Sequence, residues 1–117
     1  MAKSALKWKD RRALIDHPKT APEVLSRAGR ELLTRGFPAE SAELFRKAKD
    51  HEGLRDILAM AVGEGNFFLY SLANQYLGQS PKVEELTSLA QKAQEAGLLF
   101  YRDKAQELLG QLDQQTS

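Results

Sequence analysis

Apolar residues recur along this chain at intervals of three and four. Val24, Leu25, Ala28 and Leu32 form one such run, and Leu54, Ile57, Leu58 and Ala61 form another. That spacing gathers each set on one face of an α-helix. No segment alternates apolar and polar residues as a half-buried strand requires, and the β-branched residues Val and Ile are scarce. Breaks separate the runs at Pro18 to Pro22, Gly36-Phe37-Pro38, Asp50 to Gly53, Gly63 to Asn66, Gly78 to Pro81 and Ala96-Gly97. Between them the chain is rich in Ala, Leu, Glu, Gln, Lys and Arg, the strong helix formers. Start signals agree with the breaks. Thr20 with Glu23 makes a capping box around Pro22, Asp50 is placed to cap a helix, and Ser80-Pro81 opens another. The pattern predicts an all-α chain of about seven helices.

Internal repetition organises these helices. Shifting residues 54–79 by 32 positions lays Leu54 on Leu86, Ile57 on Leu89, Ala61 on Ala93 and Gly65 on Gly97. Further on, Phe68 meets Phe100, Ala73 meets Ala105, Leu77 meets Leu109 and Gly78-Gln79 meets Gly110-Gln111. A shift of 29 lays Leu25 on Leu54, Ala28 on Ile57, Leu32 on Ala61 and Gly36 on Gly65. With a turn shorter by two residues, Ala42 then matches Ala73 and Phe45 matches Tyr76. Three units result, 22–49, 51–79 and 82–112, each a helix, a glycine corner and a second helix. Gly36, Gly65 and Gly97 suit the left-handed residue that closes a helix. Ala42, Ala73 and Ala105 offer only a methyl group where two antiparallel helices approach. One hairpin cannot bury its apolar face alone; stacked hairpins can.

The first unit carries Leu25, Ala28-Gly29, Leu32, Gly36, Phe45 and Ala48. In this spacing it resembles the tetratricopeptide repeat family, although other α-hairpin stacks share the features. It departs at Ser41, where the family usually has Ala, and at Gly53, where a Pro would close the unit. The later units lengthen the turn, and their repeat of 32 is shorter than the family's 34. The resemblance covers residues 22–112 and implies a right-handed stack of three antiparallel α-hairpins, with an extra N-terminal helix before it. It also implies a use: holding a peptide or helical segment of another protein in a concave groove. The groove positions implied are Glu23, Ser26, Arg27 and Arg30 in the first unit, and Glu52, Arg55, Asp56 and Ala59 in the second. In the third they are Glu84, Thr87, Ser88 and Gln91. The Lys and Asn set with which family members grip a terminal carboxylate is missing. Arg27, Arg30 and Arg55 suit an acidic segment through charge-assisted hydrogen bonds. The alternative is pairing along the helix surface with Glu23, Glu31 and Asp56.

Composition narrows the function classes. The 117 residues fit one compact domain, with 42% hydrophobic and 28% charged residues. With no cysteine there is no disulfide, zinc knuckle or thiol nucleophile, and a reducing cytoplasm is the expected setting. No apolar stretch is long enough to span a membrane, and the first ten residues lack the apolar core of a secretory signal. The formal net charge of +1 hides an uneven distribution. Residues 1–20 carry Lys3, Lys7, Lys9, Arg11, Arg12 and Lys19 against Asp10 and Asp16, and the rest is mildly acidic. A helix from Ser4 to Asp16 would place Leu6, Ala13, Leu14 and Ile15 together, with Trp8 nearby. It reads as a cap on the first hairpin. The rival is contact with nucleic acid or an anionic surface through Lys3, Lys7, Trp8, Lys9, Arg11 and Arg12. So few basic residues count against that rival. The polar end, residues 113–117, reads as a tail without order.

Catalytic and metal signals are weak. His51-Glu52 lacks the second histidine of a metalloprotease helix, and His17 is the one other histidine in the chain. Neither a phosphate loop nor a dinucleotide fingerprint occurs, because Gly63-Glu64-Gly65 follows a helix and not a strand. Phe67-Phe68-Leu69-Tyr70 is the densest apolar cluster. Since Phe68 repeats as Phe100, it is expected in the core, with Phe67 partly exposed. These residues describe a non-catalytic protein-interaction module with no cofactor. A basic-arm binder of anionic surfaces and a homodimeric scaffold are the alternatives.

Overall fold

The computed structural model describes residues 21–116. The expected N-terminal helix, the basic arm and Thr20 of the expected capping box lie outside the described residues. Every regular element among the described residues is an α-helix. They are α1 (Pro22–Thr34), α2 (Pro38–Ala48), α3 (His51–Glu64), α4 (Phe67–Leu77), α5 (Val83–Ala96) and α6 (Leu99–Thr116). Six helices are thus described, against the seven expected. They divide into two compact units that part within α3, after Arg55. No helix among the described residues is long and apolar enough to cross a membrane.

The first five helices end alike. The N–H groups of Phe37, Asp50, Asn66, Gln79 and Leu98 donate to the carbonyls of Leu32, Phe45, Ala61, Asn74 and Ala93, at 2.8–3.0 Å. This closure satisfies carbonyls that a helix end otherwise leaves open, and it requires a left-handed residue just before the donor. The corner glycines 36, 65 and 97 take that conformation as expected, while Lys49 adopts it (φ 58°) without being glycine.

In the first unit α1 packs against α2. Leu25, Ala28, Leu32 and Leu44 form its buried cluster, with Ala48 against it. Phe45 is fully buried. Its ring lies where side chains at Gly29 and Gly53 would stand: a Cβ at Gly29 would come within 2.7 Å of the ring, and one at Gly53 within 2.8 Å. Ser41, also fully buried, donates its hydroxyl to the Gly29 carbonyl at 2.7 Å. That bond accounts for serine at a position where a methyl group was expected. The hydroxyl satisfies itself on the helix it touches.

In the second unit α5 packs against α6, and α4 also touches α6. Ile57, Ala61, Leu69, Tyr70, Ala73, Leu86, Leu89, Ala93 and Ala105 are buried. Gly65 is buried against α5, where a Cβ would run into the backbone of Ala93. Backbone conformation and close approach therefore both exclude a side chain there.

Four expectations need correction. The N-cap of α1 is Ala21, which has no side-chain capping bond, so a helix that starts with Pro22 is not closed by a box. The N-cap of α5 is Lys82, not Ser80, and its N–H reaches the Tyr70 hydroxyl instead. Residues 113–116 continue α6 rather than forming a tail. They carry no glycine or proline to stop a helix. Phe68 and Phe100 are outside the core, 60% and 69% exposed. The buried stripe of α4 is Leu69, Tyr70, Ala73 and Asn74, and Phe68 lies to one side of it. Phe67, half-buried, is as expected.

The slot around Phe45 makes a direct prediction. Gly29→Ala gains up to about 1 kcal/mol of helix propensity but forces the ring to move, which costs about 1–3 kcal/mol. Urea denaturation should show a net loss for Gly29→Ala, and a smaller loss when the same change is made beside Phe45→Leu.

Candidate functional site

The positions implied for a groove fall on α1, α3 and α5. Glu23, Arg27, Arg30, Glu52, Arg55, Asp56, Ala59, Glu84, Thr87 and Gln91 are exposed, and Ser26 and Ser88 are half-buried. Between them on the same helices, Leu25, Ala28, Leu32, Leu54, Ile57, Ala61, Leu86, Leu89 and Ala93 are buried. Each helix therefore separates an inward apolar stripe from an outward polar one, as the spacing requires.

Several outward residues are engaged locally. Thr87 donates its hydroxyl to the Val83 carbonyl at 2.8 Å, one turn back, and the Gln91 amide donates to Glu95 at 3.2 Å. Glu31 pairs with Arg35 at 3.8 Å. The Arg30 guanidinium lies over the Phe45 ring, 5.2 Å from its centroid. That arrangement contributes about 0.5–1 kcal/mol at an exposed site. So Arg30 helps to close the Phe45 slot as well as standing on the outward stripe.

Asp50 is the polar centre of the first unit. Its carboxylate accepts from the Gly53 N–H at 3.0 Å and so caps α3, as the sequence predicts. Burial works against its ionised form. The Gly53 N–H outweighs it together with the Ser26 hydroxyl and the charges of Arg30 and His51, and the Asp50 pKa is held below its ordinary 3.8. Two residues expected in a groove, Ser26 and Arg30, thus converge on a helix cap. The sequence marked all three residues but carried no sign that they meet, because Asp50 lies far along the chain from α1.

Tyr70 plays the matching part in the second unit. It is fully buried, donates its hydroxyl to Glu85 Oε1 at 2.8 Å and accepts from the Lys82 N–H at 3.1 Å. A capping box normally joins an N-cap to a carboxylate three residues on. Here the phenol bridges those two groups of α5 from α4. Burial, the largest influence, raises the Tyr70 pKa above its usual 10.0, and Glu85 adds to the rise against the Lys82 N–H. Asn74, one turn along, is buried, and among the described residues neither of its amide atoms has a partner within hydrogen-bond distance. Nothing in the sequence distinguished Tyr70 from its aromatic neighbours.

Among the described residues no three His, Asp or Glu side chains gather to hold a metal ion. The basic-arm residues Lys3, Lys7, Trp8, Lys9, Arg11 and Arg12 lie outside the described residues. No protein-family model, curated protein or solved structure matches the chain.

Both polar centres predict pH dependence. A lowered Asp50 pKa contributes stability that is present above pH 3.8 and lost as pH falls through the folded value. Asp50→Asn keeps a capping residue and removes the charge, so it should be less stable than the parent chain at pH 7, a gap that closes in acid. Urea titrations at pH 7 and pH 3 measure both values. Tyr70→Phe leaves the Lys82 N–H and Glu85 without their partner and should cost about 1–2 kcal/mol at neutral pH. Because the folded pKa of Tyr70 is raised, its contribution is intact below pH 10.0 and fades above it. Thermal melts of the two proteins should therefore converge as pH rises past that value.

Proposed function

We propose that this chain is a non-catalytic protein-interaction module. Its hairpins, 22–49, 51–79 and 82–112, stack in the tetratricopeptide manner and hold a peptide or helical segment of another protein on the outward faces of α1, α3 and α5. One observation carries the reading. At positions matched by the repeat, every inward residue of these helices is buried and every outward one is exposed or half-buried. The outward residues are short or charged (Ser26, Arg27, Arg55, Asp56, Ala59, Thr87, Ser88), which suits recognition of an extended backbone with a polar rim. Arg27 and Arg55 favour acidic segments through charge-assisted bonds. The absence of cysteine accords with work in a reducing, cytoplasmic setting.

The test is a display selection of random peptides against the full chain. Enriched peptides should carry Asp or Glu, and they should bind the double variant Arg27→Glu with Arg55→Glu about tenfold more weakly or worse. Both substitutions sit on exposed positions and leave the Arg30 contact with Phe45 in place. Failure to enrich any peptide, or equal binding to the variant, would refute the module.

A further inference from the structure

Among the described residues the left-handed backbone positions are Gly36, Gly65, Gly78, Gly97 and one lysine. The lysine is Lys49, at φ 58°, in the corner that joins α2 to α3. At Gly36, Gly78 and Gly97 nothing lies within 4 Å of the place where a Cβ would stand. Space therefore does not demand glycine at those corners. Conformation alone accounts for it, because a Cβ crowds the following carbonyl in the left-handed region. Lys49 carries this strain where a glycine would relieve it.

The helix end does not need the lysine. A cation near a helix C-terminus is favourable, but the last turn of α2 already holds Arg46 and Lys47. The bonds that close the turn are made by the backbone. The Lys49 N–H donates to the Arg46 carbonyl at 3.0 Å, and the Asp50 N–H donates to the Phe45 carbonyl at 2.8 Å. A glycine at position 49 would make the same bonds. Lys49 is exposed, so core packing does not call for it either. What glycine lacks is the ammonium group.

The corner sets that ammonium beside the outward face of α1. Asp50, the next residue, is half-buried and accepts from the Gly53 N–H. It also draws the Ser26 hydroxyl and the charge of Arg30 from α1. The one carboxylate of the corner is thus engaged within the junction, while Lys47 and Lys49 stand exposed around it. Arg27, also exposed, follows Ser26 on α1. A strained residue that the scaffold does not require points to a task outside the scaffold.

We infer, resting on the interaction-module reading for the occupant, that Lys49 is a contact residue for the acidic segment that Arg27 and Arg55 favour. The lysine donates to a carboxylate of that segment at the α2–α3 corner, and Arg27 donates to another on α1. The repeat pattern had no means of marking Lys49, since the groove positions it implies all fall within first helices.

The probe is a fluorescein-labelled deca-glutamate peptide, titrated with the full chain at low salt and read by anisotropy, with deca-glutamine as the uncharged control. Lys49→Gly should raise the urea midpoint of the chain and weaken deca-glutamate binding about fivefold. Lys49→Arg should bind as the parent chain does. So should Lys104→Gln, which removes the same charge from an exposed side chain of α6. Stability and affinity moving in opposite directions separate a partner contact from a charge that serves the helix end. Absence of deca-glutamate binding, an equal loss in Lys104→Gln, or a Lys49→Gly chain that binds unchanged or is less stable would overturn the inference. If Arg27→Glu with Arg55→Glu weakens binding and Lys49→Gly does not, the groove stands and the lysine contact alone fails. The reverse result keeps the lysine contact and removes the groove.

Discussion

Phe45 occupies space that exists because Gly29 and Gly53 have no side chains, and the first unit depends on that vacancy. The ring fills a gap between α1 and the start of α3 that two methyl groups would close. Dispersion contacts in such a slot are individually small, but a buried aromatic side chain makes many of them. Ser41 then ties α2 to the Gly29 carbonyl, and the Arg30 guanidinium lies over the ring. In the second unit the same constraint recurs with backbone in place of a ring: Gly65 meets Ala93. In both units a missing side chain on one helix determines what the facing element can carry.

Polar groups hold the helix starts in register with this packing. Asp50 caps α3 and gathers Ser26 and Arg30 from α1, while Tyr70 caps α5 from α4. Each is a tertiary contact that also does the local work of a cap, so loss of packing and loss of the helix start are coupled. This affects how the outward faces are read. Ser26 and Arg30 are partly committed to the scaffold, whereas Arg27 and Arg55 stand exposed on the outward stripes.

Some positions that the sequence pairs share the same burial and others do not, so the pairing was a poor guide to what those positions do. Leu54 and Leu86, Ile57 and Leu89, and Ala73 and Ala105 are alike and buried. Phe68 and Phe100 are alike and exposed. A large apolar residue that recurs looks like core because burial is the commonest reason for retaining one, but helical phase decides, and one residue turns a side chain about 100°. Gly65 and Gly97 share a left-handed conformation, yet Ala93 lies against Gly65 while, among the described residues, nothing stands within 4 Å of a Cβ placed at Gly97.

Local chemistry is what the sequence determined by itself. Spacing at three and four made helices, glycine and proline placed their ends, and Asp50 announced a cap. These effects act within one or two turns, so neighbouring residues suffice to specify them. Tertiary structure alone decided which polar residues met and which apolar residues stayed in water. Ser26 reached Asp50, Tyr70 reached Glu85, and Leu98, Leu99 and Phe100 were left exposed at the end of the second unit. Such outcomes depend on groups far apart in the chain, whose distance is set by how closely helices approach. That approach was governed by the absent side chains of Gly29, Gly53 and Gly65.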